Sequence, residues 1–295
     1  MLSILIPIYN FDVREFIREL SSQAQKLSIP VEIVCLDDAS DESYRGLNAS
    51  IAESPSVHYE LSHNNLGRSA VRNRLVAMAQ FDNLLFLDCD GKCQSNHYLE
   101  KYVEHLNGYE VIYGGRVYDE EAPDDHDYYF HWYCGSNREA ILVQDRLLNP
   151  YKSFMTNNFL IKRSVYDTVK MDESLVGYGH EDTLFAIELK KAGYRIDHIE
   201  NPIEHIGLEP FDVFIQKSEN GVRNLAYLIK HNKVGKSIKL VKYYKFLSSI
   251  GMMGLVATLI EMDADRILKQ LQGPAPNLLY FDFWKLAKLH RSIRG

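Results

Sequence analysis

The sequence predicts an α/β protein built on a mostly parallel central sheet. An apolar run at 3–8, an amphipathic segment at 12–27 and a second run at 31–36 place strand, helix and strand within about forty residues. Such a βαβ unit has a right-handed crossover and parallel strands. Further short apolar runs bounded by polar residues follow at 57–61 and 83–87. We therefore expect the carboxyl ends of these strands to share one edge of the sheet, where open α/β folds bind ligands.

The remaining elements follow from the same patterns. Ser69 is the expected N-cap of a helix that starts at Ala70. Residues 119–152 are polar, aromatic and acidic with little periodicity, which predicts either a mobile loop over the site or a disordered insertion. The other predicted elements are helices at 97–106, 163–169, 182–192 and 213–230, a strand at 109–118 that kinks at its glycines, and strands at 155–161, 194–199 and 202–207.

Composition limits the classes of function. The 295 residues carry a net charge of -7, but residues 217–295 hold 14 Lys and Arg against 5 Asp and Glu. An acidic body argues against nucleic acid as the ligand, because phosphate backbones are bound through clustered basic residues. The basic tail is compatible with an anionic membrane surface. We identify no signal peptide and no transmembrane helix, since the longest charge-poor segment, at 246–260, is shorter than the ~20 residues that a span needs.

Two carboxylates follow the strand at 83–87. Asp88 and Asp90 are two residues apart, so on an extended segment they point the same way and can jointly face a hard cation. A solvated turn is the alternative, because Asp hydrogen-bonds its own backbone in turns. If a cation binds here, it is suited to holding a phosphate ester.

A cluster of arginines precedes that strand. Arg68, Arg72 and Arg74 lie at the start of the helix near 70, where backbone N–H groups and the helix dipole already favour anions. Together they form a candidate clamp for a diphosphate. Ordinary surface salt bridges are the alternative.

A second group of polar residues lies further along the chain. Asn157 and Asn158 face a site or a turn at the start of their strand, and Glu181 and Asp182 begin a helix after Gly177 and Gly179. The dipole at a helix N-terminus keeps a carboxylate ionised, so Asp182 can act as a general base. Ordinary helix capping is the alternative.

These residues together resemble the inverting glycosyltransferases of family 2, which have the GT-A fold. The resemblance covers about residues 1–207. It rests on five stretches in the family's order: Ile4 to Asn10, Leu36-Asp37-Asp38-Ala39-Ser40, Asn65 to Asn73, Phe86 to Asp90, and Gly177 to Asp182.

The resemblance implies a role for each matching residue. Asp38 would hold the nucleobase of a nucleotide sugar, beside the backbone of Pro7 to Tyr9. The other implied roles are nucleotide contacts for Arg72 and Arg68, a ribose or donor-sugar contact for Asp88, Mn²⁺ or Mg²⁺ ligation by Asp90 and His205, deprotonation of the acceptor hydroxyl by Asp182, and a sugar pocket shaped by Glu181, Tyr178 and Asn158.

The implied activity is metal-dependent, inverting transfer of a sugar from a nucleotide-diphospho-sugar, with a UDP-linked donor expected, to a glycan or lipid-linked acceptor in cell-surface polysaccharide synthesis. One carboxylate base suffices for inversion. Two alternatives stay open. One is a sugar-nucleotide nucleotidyltransferase, although no Gly-rich basic loop follows the first strand. The other is a non-catalytic nucleotide-sugar or glycan-binding module, against which both Asp90 and Asp182 argue.

The expected organisation is a GT-A domain at 1–210 and a helical basic extension at 211–295. Within the first, residues 1–118 would bind the nucleotide sugar and 119–210 the acceptor. Lysines recur every third residue from Lys230 to Lys245, next to the apolar stretch 250–256. This extension either packs on the body or lies in a membrane interface. We expect a cytoplasmic protein, peripheral on the inner face of the cell membrane.

Overall fold

The fold is that of a computed structural model, which describes residues 1–175, 177–235 and 237–295. It divides into two compact units. Unit 1 comprises residues 1–119, 139–175 and 181–207, and unit 2 comprises residues 120–138, 176–180 and 208–295. The predicted functional halves, 1–118 and 119–210, stay predictions.

Unit 1 is built on a seven-stranded sheet whose strands follow the predicted apolar runs. In chain order its elements are β1 (Leu2–Ile8), α1 (Arg14–Ala24), β2 (Val31–Asp37), α2 (Glu42–Asn48), a 3-10 turn (Ala49–Glu53), β3 (Val57–Leu61), α3 (Arg68–Met78), β4 (Asn83–Leu87), β5 (Gly91–Cys93), α4 (Tyr98–Val103), β6 (Val111–Tyr113) and β7 (Arg116–Val117). Of the elements after β7, unit 1 contains α6 (Val143–Leu148), β8 (Asn158–Lys162), α7 (Arg163–Thr168), α8 (Glu181–Lys191), β9 (Ile196–His198) and β10 (Ile203–His205).

The sheet order is β3-β2-β1-β4-β8-β6-β9, and the mostly parallel sheet is confirmed. Strands β1 to β4 pair in parallel, as do β6 and β9, whereas β8 runs antiparallel between β4 and β6. The predicted strand at 109–118 breaks at its glycines, so that β7 joins β5 and β10 in a second, three-stranded sheet. Apolar side chains fill both faces of the large sheet, which explains why its strands are continuous apolar runs.

Unit 2 is helical. It contains a 3-10 turn (His126–Tyr128), α5 (Tyr129–Arg138), α9 (Phe211–Lys230), α10 (Lys239–Ser249), α11 (Met253–Met262), α12 (Ala264–Leu271) and α13 (Leu278–Arg294). Phe130, Phe211, Phe281 and Trp284 form the centre of its core. Within the described residues no single helix is long and apolar enough to cross a bilayer, and α10 with α11 pass that test only as a pair bent by 116°.

Two predictions about these elements are wrong, and one sequence pattern is divided between two helices. Residues 119–152 are neither a structureless loop nor a disordered insertion, because they contain α5 and α6. Helix α3 begins at Arg68 rather than Ala70, with Gly67 as its N-cap at a φ of 86°, so Ser69 lies inside the helix and is buried. The recurring lysines do not share one helix, since α9 ends at Lys230 and α10 begins at Lys239; Lys236 lies outside the described residues.

Candidate active site

A buried arginine joins helix α3 to the end of strand β4. Arg72 has 2% of its surface exposed, and its guanidinium forms an ion pair with the carboxylate of Asp88. A second guanidinium nitrogen donates to the backbone carbonyl of Arg68 at 2.9 Å. Asp88 is itself held in place, because its backbone N–H donates to the carbonyl of Asn157 on the neighbouring chain segment at 3.0 Å. The predicted proximity of the α3 arginines to the carboxylates after β4 is therefore present.

Asp38 braces the loop that enters helix α3. Its two carboxylate oxygens accept from the backbone N–H groups of Leu66 at 2.6 Å and Gly67 at 3.0 Å. Burial raises the pKa of Asp38, and these two donors offset part of that rise. Each carboxylate oxygen thus already has a backbone partner, and the predicted contact of Asp38 with a nucleobase stays a prediction.

The small sheet brings Asp90 and His205 together. Strand β5 follows Asp90 and pairs antiparallel with β10, which ends at His205. The backbone N–H of Ile206 donates to the carbonyl of Asp90 at 3.0 Å, and the ring Nδ1 of His205 lies 3.4 Å from Asp90 Oδ1. Gly207 packs so closely that an added Cβ would lie 2.5 Å from Asp90 Oδ2. Burial alone would raise the pKa of Asp90, but the charges of His205 and Arg116 hold it well below its usual range.

Sequence reasoning missed the group around Arg116. Arg116 lies in β7, beside β10, and donates to His205 Nδ1 at 3.2 Å and to Glu139 Oε2 at 2.7 Å. The hydroxyl of Tyr118 donates to the same oxygen of Glu139 at 2.6 Å. Burial favours the protonated form of Glu139, but Arg116 and Tyr118 lower its pKa to about 2. No local pattern marked these residues, because they meet only through the pairing of β7 with β10.

The donor atoms of Asp90 and His205 fit a divalent cation. Octahedral ligation at ~2.1 Å places neighbouring donors about 3 Å apart, close to the 3.4 Å between Oδ1 and Nδ1. In the part of the chain that the structure describes, no group of three or more His, Cys, Asp or Glu side chains could hold a metal. The pair therefore leaves most coordination positions to water and to phosphate oxygens. Asp88, Asp90, Arg116 and His205 line one small pocket here.

Glu181 and Asp182 occupy the first turn of α8 in different environments. Glu181 is 8% exposed and forms an ion pair with Arg68 at 2.8 Å. Asp182 is half-buried and its Oδ1 accepts from the backbone N–H of Thr183 at 2.6 Å. Burial and the adjacent charge of Glu181 raise the pKa of Asp182 to about 6. The helix dipole therefore does not dominate this carboxylate, which has instead the pKa of a useful general base.

The electrostatic environments of these groups overlap. The charge of Glu139 contributes to the raised pKa of Asp182, and the charge of Arg68 helps to lower the pKa values of both Asp90 and Glu181. Charges act on one another strongly only at short range in a folded protein. Unit 1 therefore gathers the candidate metal ligands, the arginines and the candidate base in one region.

Four other predicted residues have different surroundings. Asn158 is fully buried, accepts from the hydroxyls of Tyr98 and Tyr102, and donates to the carbonyls of Gly115 and Asn201. Its side chain thus ties strands and loops together, and its predicted place in the sugar pocket stays a prediction. Pro7 is half-buried in β1, Tyr9 is 54% exposed, and Tyr178 lies in unit 2 with Lys217 Nζ 5.6 Å from its ring centre.

Sequence comparison identifies similar proteins. Residues 3–170 match the family model described as Glycosyl transferase family 2. An uncharacterized glycosyltransferase of Bacillus subtilis (strain 168), YfnE, is 23% identical over 238 residues, which make up 65% of this chain and 60% of that protein. The chain therefore spans about three fifths of the length of this curated relative.

Structural comparison gives the same fold. The mannosyltransferase PcManGT from Pyrobaculum calidifontis, solved in complex with GDP-Man and Mn²⁺, has a TM-score of 0.60 at 13% identity, over 99% of this chain and 86% of that chain. Residues 1–349 of S. aureus TarS have a TM-score of 0.50 at 15% identity, over 99% and 90% of the two chains. The likeness at such low identity establishes the fold. Because the family model also matches more than half of the sequence, this chain belongs to glycosyl transferase family 2 and has the GT-A fold, as its motifs predicted.

Proposed function

We propose that this protein is a metal-dependent, inverting glycosyltransferase that moves a sugar from a nucleotide-diphospho-sugar to a hydroxyl group of a glycan or lipid-linked acceptor. One observation carries the proposal. This is a family 2 domain in which the spacing of Asp90 and His205 suits a divalent cation. Asp182, a carboxylate with a raised pKa, lies in the same region of unit 1. The family assignment favours this activity over the nucleotidyltransferase and the non-catalytic binding module.

Asp90 and His205 would hold Mn²⁺ or Mg²⁺. When bound, the ion neutralises the negative charge that grows on the departing nucleoside diphosphate. Arg116 donates a hydrogen bond to His205 Nδ1, so this bond must break before that nitrogen can bind a cation. Glu139 is the partner that retains Arg116 in that event.

The arginines of α3 would complement the charge of the donor. Arg72 is fixed by Asp88 and by its own helix, whereas Arg68 is partly exposed and pairs with Glu181. Both lie at the N-terminal end of α3, where the helix dipole adds to their attraction for phosphate. Asp88 is thereby oriented beside the cation site, consistent with a role near the ribose or the donor sugar.

Asp182 would accept the proton of the acceptor hydroxyl. With a pKa of about 6 it is mostly ionised at pH 7, yet it is a stronger base than an ordinary aspartate. Glu181 is neutralised by Arg68, which leaves Asp182 as the carboxylate available for proton transfer. Attack by the acceptor oxygen on the face opposite the leaving group then inverts the anomeric carbon without a covalent intermediate.

The test is metal-dependent release of nucleoside diphosphate from a nucleotide sugar. We expect Asp90→Ala and Asp182→Asn each to lower turnover at least a hundredfold, within the range known for loss of a metal ligand or a general base. Asp145→Asn, an exposed first-turn aspartate of α6, is the matched control and should keep full activity. Undiminished turnover in either site variant would refute the mechanism.

The donor is the next unknown, with a UDP-linked sugar as the prediction. A ligand that binds only the folded state raises the melting temperature, so a panel of UDP- and GDP-sugars with Mn²⁺ can be ranked by thermal shift. A UDP-sugar should give the largest shift, and this shift should be lost in Asp90→Ala. A larger shift with GDP-sugars would show that the donor carries guanine rather than uracil as its nucleobase.

The expected cellular role is cell-surface polysaccharide synthesis at the cytoplasmic side of the membrane. The basic balance of residues 217–295 supports a location near anionic lipids. Fractionation of cells that express the tagged protein checks this location. Recovery outside the cytoplasm and the inner membrane would contradict it.

A further inference from the structure

Helices α10 and α11 of unit 2 carry large apolar side chains on the face that packs into the core and also on the face exposed to solvent. Helices α10 and α11 each pack one face on α13, in a cluster that contains Met253, Ala257, Leu286 and Ala287. Their opposite faces are exposed, although they also carry large apolar side chains. A surface helix normally turns charged or polar residues to water. These exposed faces therefore need an explanation that the core of unit 2 does not supply.

Helix α11 shows this most clearly. Leu255, Leu259 and Met262 are spaced by four and three residues, so they share one helix face, and they are 60%, 58% and 80% exposed. The charged residue within α11 is Glu261, which lies off this face and forms an ion pair with Arg291. The exposed face of α11 is thus uncharged.

Helix α10 adds positive charge and aromatic rings. Lys239, Lys242, Tyr243 and Phe246 recur at spacings of three and four, so two lysines and two aromatic rings share one exposed face. Lys239 also lies 3.8 Å from the carboxylate of Asp282 on α13, so Lys242 is the stronger candidate for a headgroup contact. Ile250 continues this face past the end of the helix and is 50% exposed. No acidic residue occurs in α10. Rings beside lysines, next to a purely apolar helix, are typical of helices that lie in a membrane interface.

We propose that the outer face of α10 and α11, formed by Lys239, Lys242, Tyr243, Phe246, Ile250, Leu255, Leu259 and Met262, docks this protein on a bilayer that contains anionic lipid. The leucines and Met262 enter the boundary of the acyl chains, and the lysines contact the headgroups. The two helices are bent by 116° at the break between them and neither alone is long enough to span, so this face is suited to lie along the membrane surface.

Charge complementarity favours an anionic bilayer over another protein as the partner of this face. A second copy of the chain would present the same lysines to one another, which repel, whereas anionic headgroups pair with them. The proposal is independent of the proposed activity, since none of these residues belongs to the candidate active site.

The experiment is co-sedimentation of the full chain with vesicles. We expect binding to vesicles of phosphatidylcholine mixed with phosphatidylglycerol, at least tenfold weaker binding to pure phosphatidylcholine, and weaker binding as salt screens the lysines. Leu255→Glu with Leu259→Glu should reduce binding at least tenfold at an unchanged melting temperature. Lys239→Glu with Lys242→Glu should abolish the preference for anionic lipid.

A control variant in unit 1 and the outcomes below test whether this face docks on a membrane. Leu147→Glu with Leu148→Glu changes an exposed leucine pair of α6 in unit 1, and vesicle binding should not change. The proposal is overturned if the full chain does not bind anionic vesicles, or if the α11 variant binds them as the unchanged protein does. Loss of a dimer in the α11 variant, without vesicle binding by the unchanged protein, would instead identify a second copy as the occupant.

Discussion

Replacing Glu181 by Gln should move the acid limb of the pH–rate profile to lower pH. Burial and the charge of Glu181, in that order, raise the pKa of Asp182 from its ordinary 3.8 to about 6. The Glu181→Gln change removes that charge, and Arg68, released from its ion pair, adds a positive charge nearby. Both changes favour the ionised form of Asp182, so its pKa must fall. Burial remains, so we expect a fall of about one pH unit, or about a tenfold gain in relative rate below pH 5.

The assay is kcat/KM for donor turnover between pH 4.5 and 8, roughly the range in which a perturbed carboxylate titrates, at saturating Mn²⁺. A base acts only when it is unprotonated, so the rate falls as pH drops through the pKa of Asp182. Glu188→Gln, an acid on the same helix paired with Lys191, should leave the profile unchanged. An acid limb that stays in place, or moves to higher pH, in the Glu181 variant would show that Asp182 is not the titrating base.

Three further changes test the fold around the site. Asp182→Asn should raise the free energy of unfolding in urea at pH 7 by up to about 3 kcal/mol, because the raised pKa means that folding disfavours the ionised carboxylate. This gain should disappear below about pH 4, where the carboxylate is protonated in both states. A variant less stable at pH 7 than the unchanged protein would contradict the prediction. Asn158→Ala should lower the free energy of unfolding by about 3 kcal/mol, measured the same way, since it removes four buried hydrogen bonds, two from tyrosine hydroxyls and two to backbone carbonyls. Gly179→Ala should lower the free energy of unfolding by about 1 kcal/mol or more, because φ at Gly179 is 100° and an added Cβ would lie 2.8 Å from Gly221 Cα in α9. Gly46→Ala, with no atom within 4 Å of the added Cβ, is the control, and both variants are compared by urea unfolding.

Strands β1, β2 and β4 of unit 1 were predictable because each is a largely apolar run that ends at polar residues. The order of their pairing also follows from simple rules for βαβ units, at least for β1 and β2. The antiparallel placement of β8 and the second sheet were not predicted, since the pairing of short strands depends on partners that are distant in sequence. The sequence indicated that the strand at 109–118 kinks at Gly114 and Gly115. It did not indicate that the residues after the kink join a second sheet as β7.

Helix α5 shows why residues 119–152 were misjudged. Its buried residues Phe130 and Cys134 have helical spacing, but aromatic residues also occupy the positions between them. Those rings pack against other rings of unit 2, such as Phe130 against Phe211 and Phe281. Tertiary packing, rather than a clean amphipathic pattern, stabilises this short helix. Arg116 and Glu139 escaped notice for a related reason, as their roles arise from contacts alone.

The backbone bond from Ile206 to Asp90 has a consequence for how the chain can vary. Since the small sheet itself sets the spacing of Asp90 and His205, the long stretch of sequence between them is not needed to measure that distance. Loops in that stretch could be lengthened, shortened or exchanged with the candidate metal pair left intact. If the proposed function holds, the surfaces that bind an acceptor can therefore change while the spacing of Asp90 and His205 stays the same.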